Sequence, residues 1–191
     1  MKAQEPTPYS FQRIAIVGTS CSGKTTFARS LSAILGFPHI ELDALHWLPC
    51  WEERPLDDFR KVVGKETSRE QWVSDGNYSK VRDIVWGRAT DVIWLNYPFP
   101  LVFSQALKRT IKRAITGEEL FSGNRESLRM TFFSKESILL WILKSYKRNR
   151  IRYRAFQQSP EWGHLKFREF RKPREASIFL TQCSNAKQET C

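Results

Sequence analysis

Apolar residues in this chain come in short β-branched runs separated by longer stretches at helical spacing. Arg13 to Val17 is one such run, ending on Gly18, and it predicts a buried parallel strand. Phe27, Ala28, Leu31, Ile34 and Leu35 then recur every three to four residues, as on one face of a helix. Gly36 closes that helix and Pro38 stops it resuming. PHIELDALHW reads as a second strand that runs into a loop at Asp43. LDDFRKVVGKETSRE reads as a helix with Leu56, Phe59, Val62 and Val63 on one side. QWVSDG is a third strand, VRDIVWGRA a short helix, and DVIWLNYP a fourth strand stopped at Pro98. Leu101 to Thr116 is a helix with Lys and Arg facing water. LKFREF reads as a fifth strand, and PREASIFLTQC as a last helix with Pro173 near its start. The polar tail from Ser184, about 184–191, is expected to be flexible.

Strands alternating with helices predict an α/β fold, a parallel sheet with right-handed crossovers. The alternation stops between Gly117 and Ser159. GEELFSGNRESLRMTFFSKES carries turn residues, and Ile138 to Gln158 reads as one long amphipathic helix. The segment of about 117–159 is therefore expected to be an insertion over the sheet, a lid. The length of 191 residues suits one domain spanning 1–191.

Composition narrows the class only a little. The hydrophobic fraction of 41% is ordinary for a globular chain. The longest apolar run, ILLWIL from Ile138 to Leu143, falls well short of the ~18 residues of a membrane span. The opening MKAQEPTPYS has no apolar core, so no signal peptide is expected. Cys21, Cys50, Cys183 and Cys191 lack close pairing or metal-ligand spacing and suit a reducing, cytoplasmic setting. The net charge of +11 is concentrated from Leu101 onward. Such a basic half attracts nucleic acid, a membrane surface or a polyphosphate ligand, and local motifs must choose among them.

The clearest motif is Gly18-Thr19-Ser20-Cys21-Ser22-Gly23-Lys24-Thr25, which fits the G-x-x-x-x-G-K-[ST] phosphate loop. Gly18 and Gly23 allow a tight turn and close approach to phosphate oxygens. The successive N–H groups of Ser20, Cys21, Ser22, Lys24, Thr25 and Thr26 form an anion nest, helped by the dipole of the helix that follows. Cys21 reads as a small residue that fits the loop. Lys24 reaches the β- and γ-phosphates of a nucleoside triphosphate, and Thr25 offers a hydroxyl to Mg²⁺. The metal also needs a carboxylate at a neighbouring strand end. Asp75 and Asn96 both qualify by position, and the charged Asp75 is the better partner, unless its Asp-Gly step only makes a turn.

GTSCSGKTT, ELDALHW, WVSDGNY, DVIWLNYP, ESLRMTFFSKESILLW and RKPREA together resemble the P-loop topology modulation proteins (FlaR-like), distant relatives of adenylate and shikimate kinases. The resemblance runs from about Arg13 to Leu180. It implies a P-loop nucleoside triphosphate hydrolase fold, with a five-stranded parallel sheet in the order 2-3-1-4-5, helices on both faces, and ATP with magnesium. Asp75-Gly76 is similar to the Asp-Gly that closes the third strand of adenylate kinases, which supports Asp75. Two positions depart from the pattern: Asn96 where relatives have Asp, and Gln105 where an arginine often opens the helix. Arg109, one turn on, is placed to take over the second role. By likeness to shikimate-type kinases, Asp43 orients the acceptor hydroxyl, takes its proton or holds the metal shell. The turn from Arg171 to Pro173 borders the adenine, as the loop after the fifth strand does in related kinases. The family name describes an effect on DNA topology, not a reaction.

Other candidates follow from the residues themselves. His46, Trp47 and Trp51 lie beyond the second strand, where the indoles serve either an acceptor ring or the core. Arg109, Arg113 and Arg125 lie on or near the lid and suit the charge that gathers on a transferred phosphoryl group. Arg82 suits an acceptor phosphate or a salt bridge. KSYKRNRIRYR, from Lys144 to Arg154, alternates basic residues with Tyr146 and Tyr153, as nucleic-acid surfaces do, or forms a solvated face. Three functions follow: an ATP-dependent kinase of a nucleotide or other small molecule, adenylate kinase-like; a nucleic-acid-binding regulator with an ATP switch; or a nucleotide binder without turnover, marked by Asn96. Trp72, Trp86, Trp94 and Trp141 serve a core or a dimer face, so monomer and homodimer are both open.

Overall fold

The computed structural model describes residues 11–116, 119–124 and 138–188. Five strands, β1 (Arg13–Gly18), β2 (His39–Glu41), β3 (Trp72–Asp75), β4 (Asp91–Leu95) and β5 (Lys166–Phe170), form one sheet in the order β2-β3-β1-β4-β5. Every pairing is parallel. The helices are α1 (Lys24–Leu35), α2 (Leu42–His46), α3 (Leu56–Glu66), α4 (Arg82–Arg88), α5 (Phe99–Thr116), α6 (Ile138–Gln158) and α7 (Pro173–Gln188).

The central strand shows why both faces must be covered. Ile14 and Ile16 point into one core with Phe27, Leu31, Val73, Ile93 and Phe179, contributed by the neighbouring strands, α1 and α7. Ala15 and Val17 point into the other, with Phe59, Val63, Trp72, Trp86, Trp94 and Tyr153. The period of two splits one apolar run between two layers. Trp72, Trp86 and Trp94 are thus core residues, not a dimer face. The register places Ile16 beside Asp75 and Gly18 beside Leu95, so the ends of β3 and β4 flank the loop that leaves β1.

Four expectations change. The second strand stops at Glu41, and Asp43 sits in the first turn of α2 instead of a loop. Leu42 and His46, four residues apart, bury on one side of that turn. Leu56, in the first turn of α3, stays 46% exposed while Phe59 and Val63 are buried. The fifth helix starts at Phe99, because Pro100 falls in a first turn that needs no N–H from it. The last helix continues through Ser184 to Gln188, so the tail is ordered that far. Cys183 is buried against the core and pins the helix next to those residues. Among the described residues no helix is long and apolar enough to cross a membrane.

Candidate active site

The loop between β1 and α1 is shaped by glycine. Gly18 has φ 154°, and a Cβ there would fall 2.7 Å from the Leu95 carbonyl oxygen and 2.8 Å from Ser22 Oγ. Gly23 takes the left-handed conformation at φ 83° and caps α1 without any side-chain hydrogen bond. No acidic residue occupies the first turn of α1, so its leading amides are not screened by a local carboxylate. Cys21 is also left-handed, at φ 64°, a conformation that costs a non-glycine residue about 1–2 kcal/mol. Ser22 Oγ is buried in the loop without a hydrogen-bond partner. Lys24 Nζ donates to the Thr19 carbonyl oxygen at 3.1 Å. Burial holds the Lys24 amine below its ordinary pKa, with the Asp43 and Asp75 charges opposing that shift.

Asp75, only 2% exposed, is gripped on both oxygens. Thr25 Oγ1 donates to Oδ2 at 2.7 Å, and the His39 ring places Nε2 2.7 Å from Oδ1. A threonine hydroxyl beside a buried carboxylate, at the foot of a phosphate loop, is a hard-oxygen set that suits magnesium. Among the described residues no three His, Cys, Asp or Glu side chains converge, so such a cation would draw its other ligands from phosphate oxygens and water. The residues present fit the group.

Asn77 joins the loop to the rest of the site. It accepts from the Gly18 N–H at 3.4 Å and from the Tyr153 hydroxyl at 2.8 Å, and it donates to the Gly18 carbonyl. Across from the loop, Asp43 accepts a hydrogen bond from the Tyr78 hydroxyl at 2.6 Å. Burial, then the Asp43 charge, pushes the Tyr78 phenol far above its usual range. His46 is buried, with ring centroids 4.8 Å from Trp47, 5.0 Å from Phe59 and 4.6 Å from Tyr78. That burial lowers its pKa, with Glu53 acting the other way.

A cleft of about 900 Å³ joins these parts. It is lined by Ser20, Cys21, Gly23, Lys24, Thr25 and Thr26 of the phosphate loop and the start of α1, and by Asp43, His46, Trp47, Glu53, Tyr78 and Lys80. Gln105 and Arg109 enter from α5, and Arg148, Asn149 and Arg152 from α6. A smaller, shallower groove of about 740 Å³ at the opposite end of the sheet, around Arg13 and Lys166, contains none of these groups.

The structure thus brings together Lys24, Thr25, Asp43 and Arg109, with Asp75 behind Thr25. Several other expected residues lie elsewhere. Arg113, one turn beyond Arg109, is outside the cleft lining. Arg125 lies outside the described residues. Arg171 is exposed and forks onto Glu169 at 2.9 and 3.0 Å, so its guanidinium is engaged outside the cleft lining. Arg82 does not form the salt bridge expected as one of its two roles. Its guanidinium lies 4.5 Å over Phe156 and 5.6 Å over Trp86. Trp47 lines the cleft, while Trp51 packs edge-on against it at 5.6 Å. Asn96 is buried and donates to Glu169 Oε1 at 2.5 Å, away from the phosphate loop.

Sequence reasoning missed His39, Tyr78, Asn77 and the arginine pair of α6. Arg148 and Arg152 lie four residues apart, a signal of one shared face, but the helix's rotation against the sheet was needed to aim them. Tyr146 and Tyr153, 8% and 3% exposed, turn inward instead of outward.

No protein-family model matches this chain, and no curated protein does. Solved structures do match. A shikimate kinase from Acinetobacter baumannii, solved in complex with shikimate, is 17% identical with a TM-score of 0.55 over 95% of each chain. A shikimate kinase from Aquifex aeolicus is 15% identical, TM-score 0.50, over 93% of this chain and 98% of that one. Another from Bacteroides thetaiotaomicron is 12% identical, TM-score 0.50, over 94% and 99%. With the strand order and the phosphate loop, these likenesses define the fold as that of the P-loop kinases.

Proposed function

We propose that this chain is a phosphotransferase that moves the γ-phosphoryl group of ATP to a hydroxyl of a small-molecule acceptor. The observation that carries the reading is one cleft lined together by the phosphate loop, Asp43, and the arginines Arg109, Arg148 and Arg152. A bare nucleotide switch needs only the first of these.

Each group then has a role. The amides of residues 20–26 and the Lys24 ammonium hold the β- and γ-phosphates. Thr25 and Asp75 would hold magnesium, which when bound neutralises charge on the phosphate oxygens. Asp43, held by Tyr78, orients the acceptor hydroxyl and takes its proton. The arginines of α5 and α6 meet the charge spread over the equatorial oxygens in transfer. We further assign Arg113 and Arg125 to closure over the γ-phosphate, and the turn at Arg171 to the adenine border, on the motif resemblance. The single-domain organisation with its lid, the cytoplasmic location and the topology-modulation and adenylate-kinase kinships rest on that same reading of the sequence.

The nucleic-acid alternative has lost its main support. The tyrosines that would stack on bases are buried, and two of the arginines line the cleft. Lys144, Lys147 and Arg154 remain exposed on α6.

The deciding assay measures ADP release with magnesium and ATP against a panel of hydroxylated acceptors and nucleoside monophosphates. One acceptor is expected to raise the rate at least about tenfold, and Lys24→Ala to abolish the stimulation, as loss of a transition-state donor does. Tight ATP binding with no stimulation by any acceptor would favour a binder without turnover.

A further inference from the structure

His39 opens β2 and pairs in register with Val73, two residues before Asp75 on β3. Glu41, two residues on, pairs with Asp75 itself. In a parallel ladder these residues share one face, and α1 covers that face: Arg29 of α1 pairs with Glu41 at 2.9 Å. His39 therefore leans along the sheet to reach Asp75 diagonally, at 2.7 Å. With Nε2 carrying the proton, the tautomer assigned to this pair, the ring donates to the Asp75 carboxylate. Thr25 occupies the other oxygen at 2.7 Å. The carboxylate is bracketed between a hydroxyl facing the phosphate loop and an imidazole behind it, with almost no exposure to water.

We propose that His39 is the positioning residue that fixes Asp75 for the cation of the nucleotide site. It touches neither nucleotide nor acceptor in this role. It sets the rotamer of the carboxylate, as outer partners of metal ligands do. This inference rests on the reading of the cleft as a metal–nucleotide site.

The test is calorimetric ATP binding with and without magnesium, so that the ratio of the two affinities reads the cation alone. His39→Leu is expected to cut that ratio roughly 10- to 100-fold. Magnesium-free ATP affinity should stay within about threefold, because the loop amides and Lys24 are untouched. His39→Gln, whose amide nitrogen reaches about as far as Nε2, should keep the ratio, and His39→Asn, too short to reach, should lose it. The Asn variant also stands in should the Leu variant fail to fold. Glu41→Gln, on the same strand and face, should leave the ratio intact. A His39→Leu or His39→Asn protein with the wild-type ratio would overturn the proposal. Equal weakening with and without magnesium would overturn it too, by showing that His39 merely supports the loop. If the wild type binds no ATP under either condition, the metal–nucleotide reading itself fails, a result distinct from both.

Discussion

Asp75 and Asp43 are the same side chain put to different uses by their surroundings. Asp75 ends a strand, is buried, and has both oxygens engaged, by Thr25 and His39. Asp43 stands in the first turn of a five-residue helix, is half-buried beside the cleft, and has Oδ1 engaged by Tyr78. A carboxylate gripped on both oxygens is a fixed charge, fit to anchor a cation. One with an oxygen to spare at the cleft can accept a proton from a substrate. The residue type alone does not assign the role; the count and direction of the donors around it does.

The comparison can be broken from either side. The largest effect is expected from Asp43→Asn, which should lower kcat roughly 10²- to 10⁴-fold while leaving ATP affinity within about threefold. An equal loss in ATP affinity would mean that Asp43 belongs to the phosphate end. Next comes Asp75→Asn, expected to raise the half-saturating magnesium concentration about 10- to 100-fold, with magnesium-free ATP binding retained. An unchanged magnesium requirement would strip Asp75 of its anchoring role. Tyr78→Phe removes one hydrogen bond from Asp43 and should cost about 3- to 10-fold in kcat, with no change in the magnesium requirement. A shift in magnesium dependence here would show that the two carboxylates act as one unit.

The smallest effect concerns stability beside Asp43. Burial lowers the folded pKa of His46 below its ordinary 6.5. The unfolded chain therefore takes up a proton near pH 6.5 that the folded chain refuses until lower pH. The stability this neutral imidazole contributes is complete above pH 6.5 and is lost as pH falls through 6.5 toward the folded value. Melting temperatures should decline between pH 7.5 and 5.5, and His46→Phe, placed among Trp47, Phe59 and Tyr78, should flatten that decline. An identical slope in the variant would contradict the buried neutral state.

What could be read from the chain follows the range of the interactions involved. The phosphate loop is local: its glycines, lysine and threonine adopt their geometry within eight residues, so the motif carried its structure with it. The parallel sheet followed from the alternation, and its strand order from the motif resemblance alone. Asp75 was legible because an Asp-Gly step ends an apolar strand. His39 was not, since its contact with Asp75 is made across two strands and nothing in HIELD marks it. Arg148 and Arg152 were hidden for another reason. Lys144 to Arg154 has basic residues all round, and only the packing of Ile142, Ser145, Tyr146 and Tyr153 decides which of them face the cleft. Of the two roles open to Arg82 the salt bridge is not formed, because two aromatic rings take the guanidinium instead.

The central claim is that the loop from Gly18 to Thr25 and the carboxylate of Asp75 together bind a magnesium-bound triphosphate. Calorimetric titration of the purified protein with ATP in the presence of magnesium tests it most directly. A single site, lost on Lys24→Ala and weakened when magnesium is withdrawn, is the result expected. No heat of binding from the folded wild-type protein would contradict the account at its base.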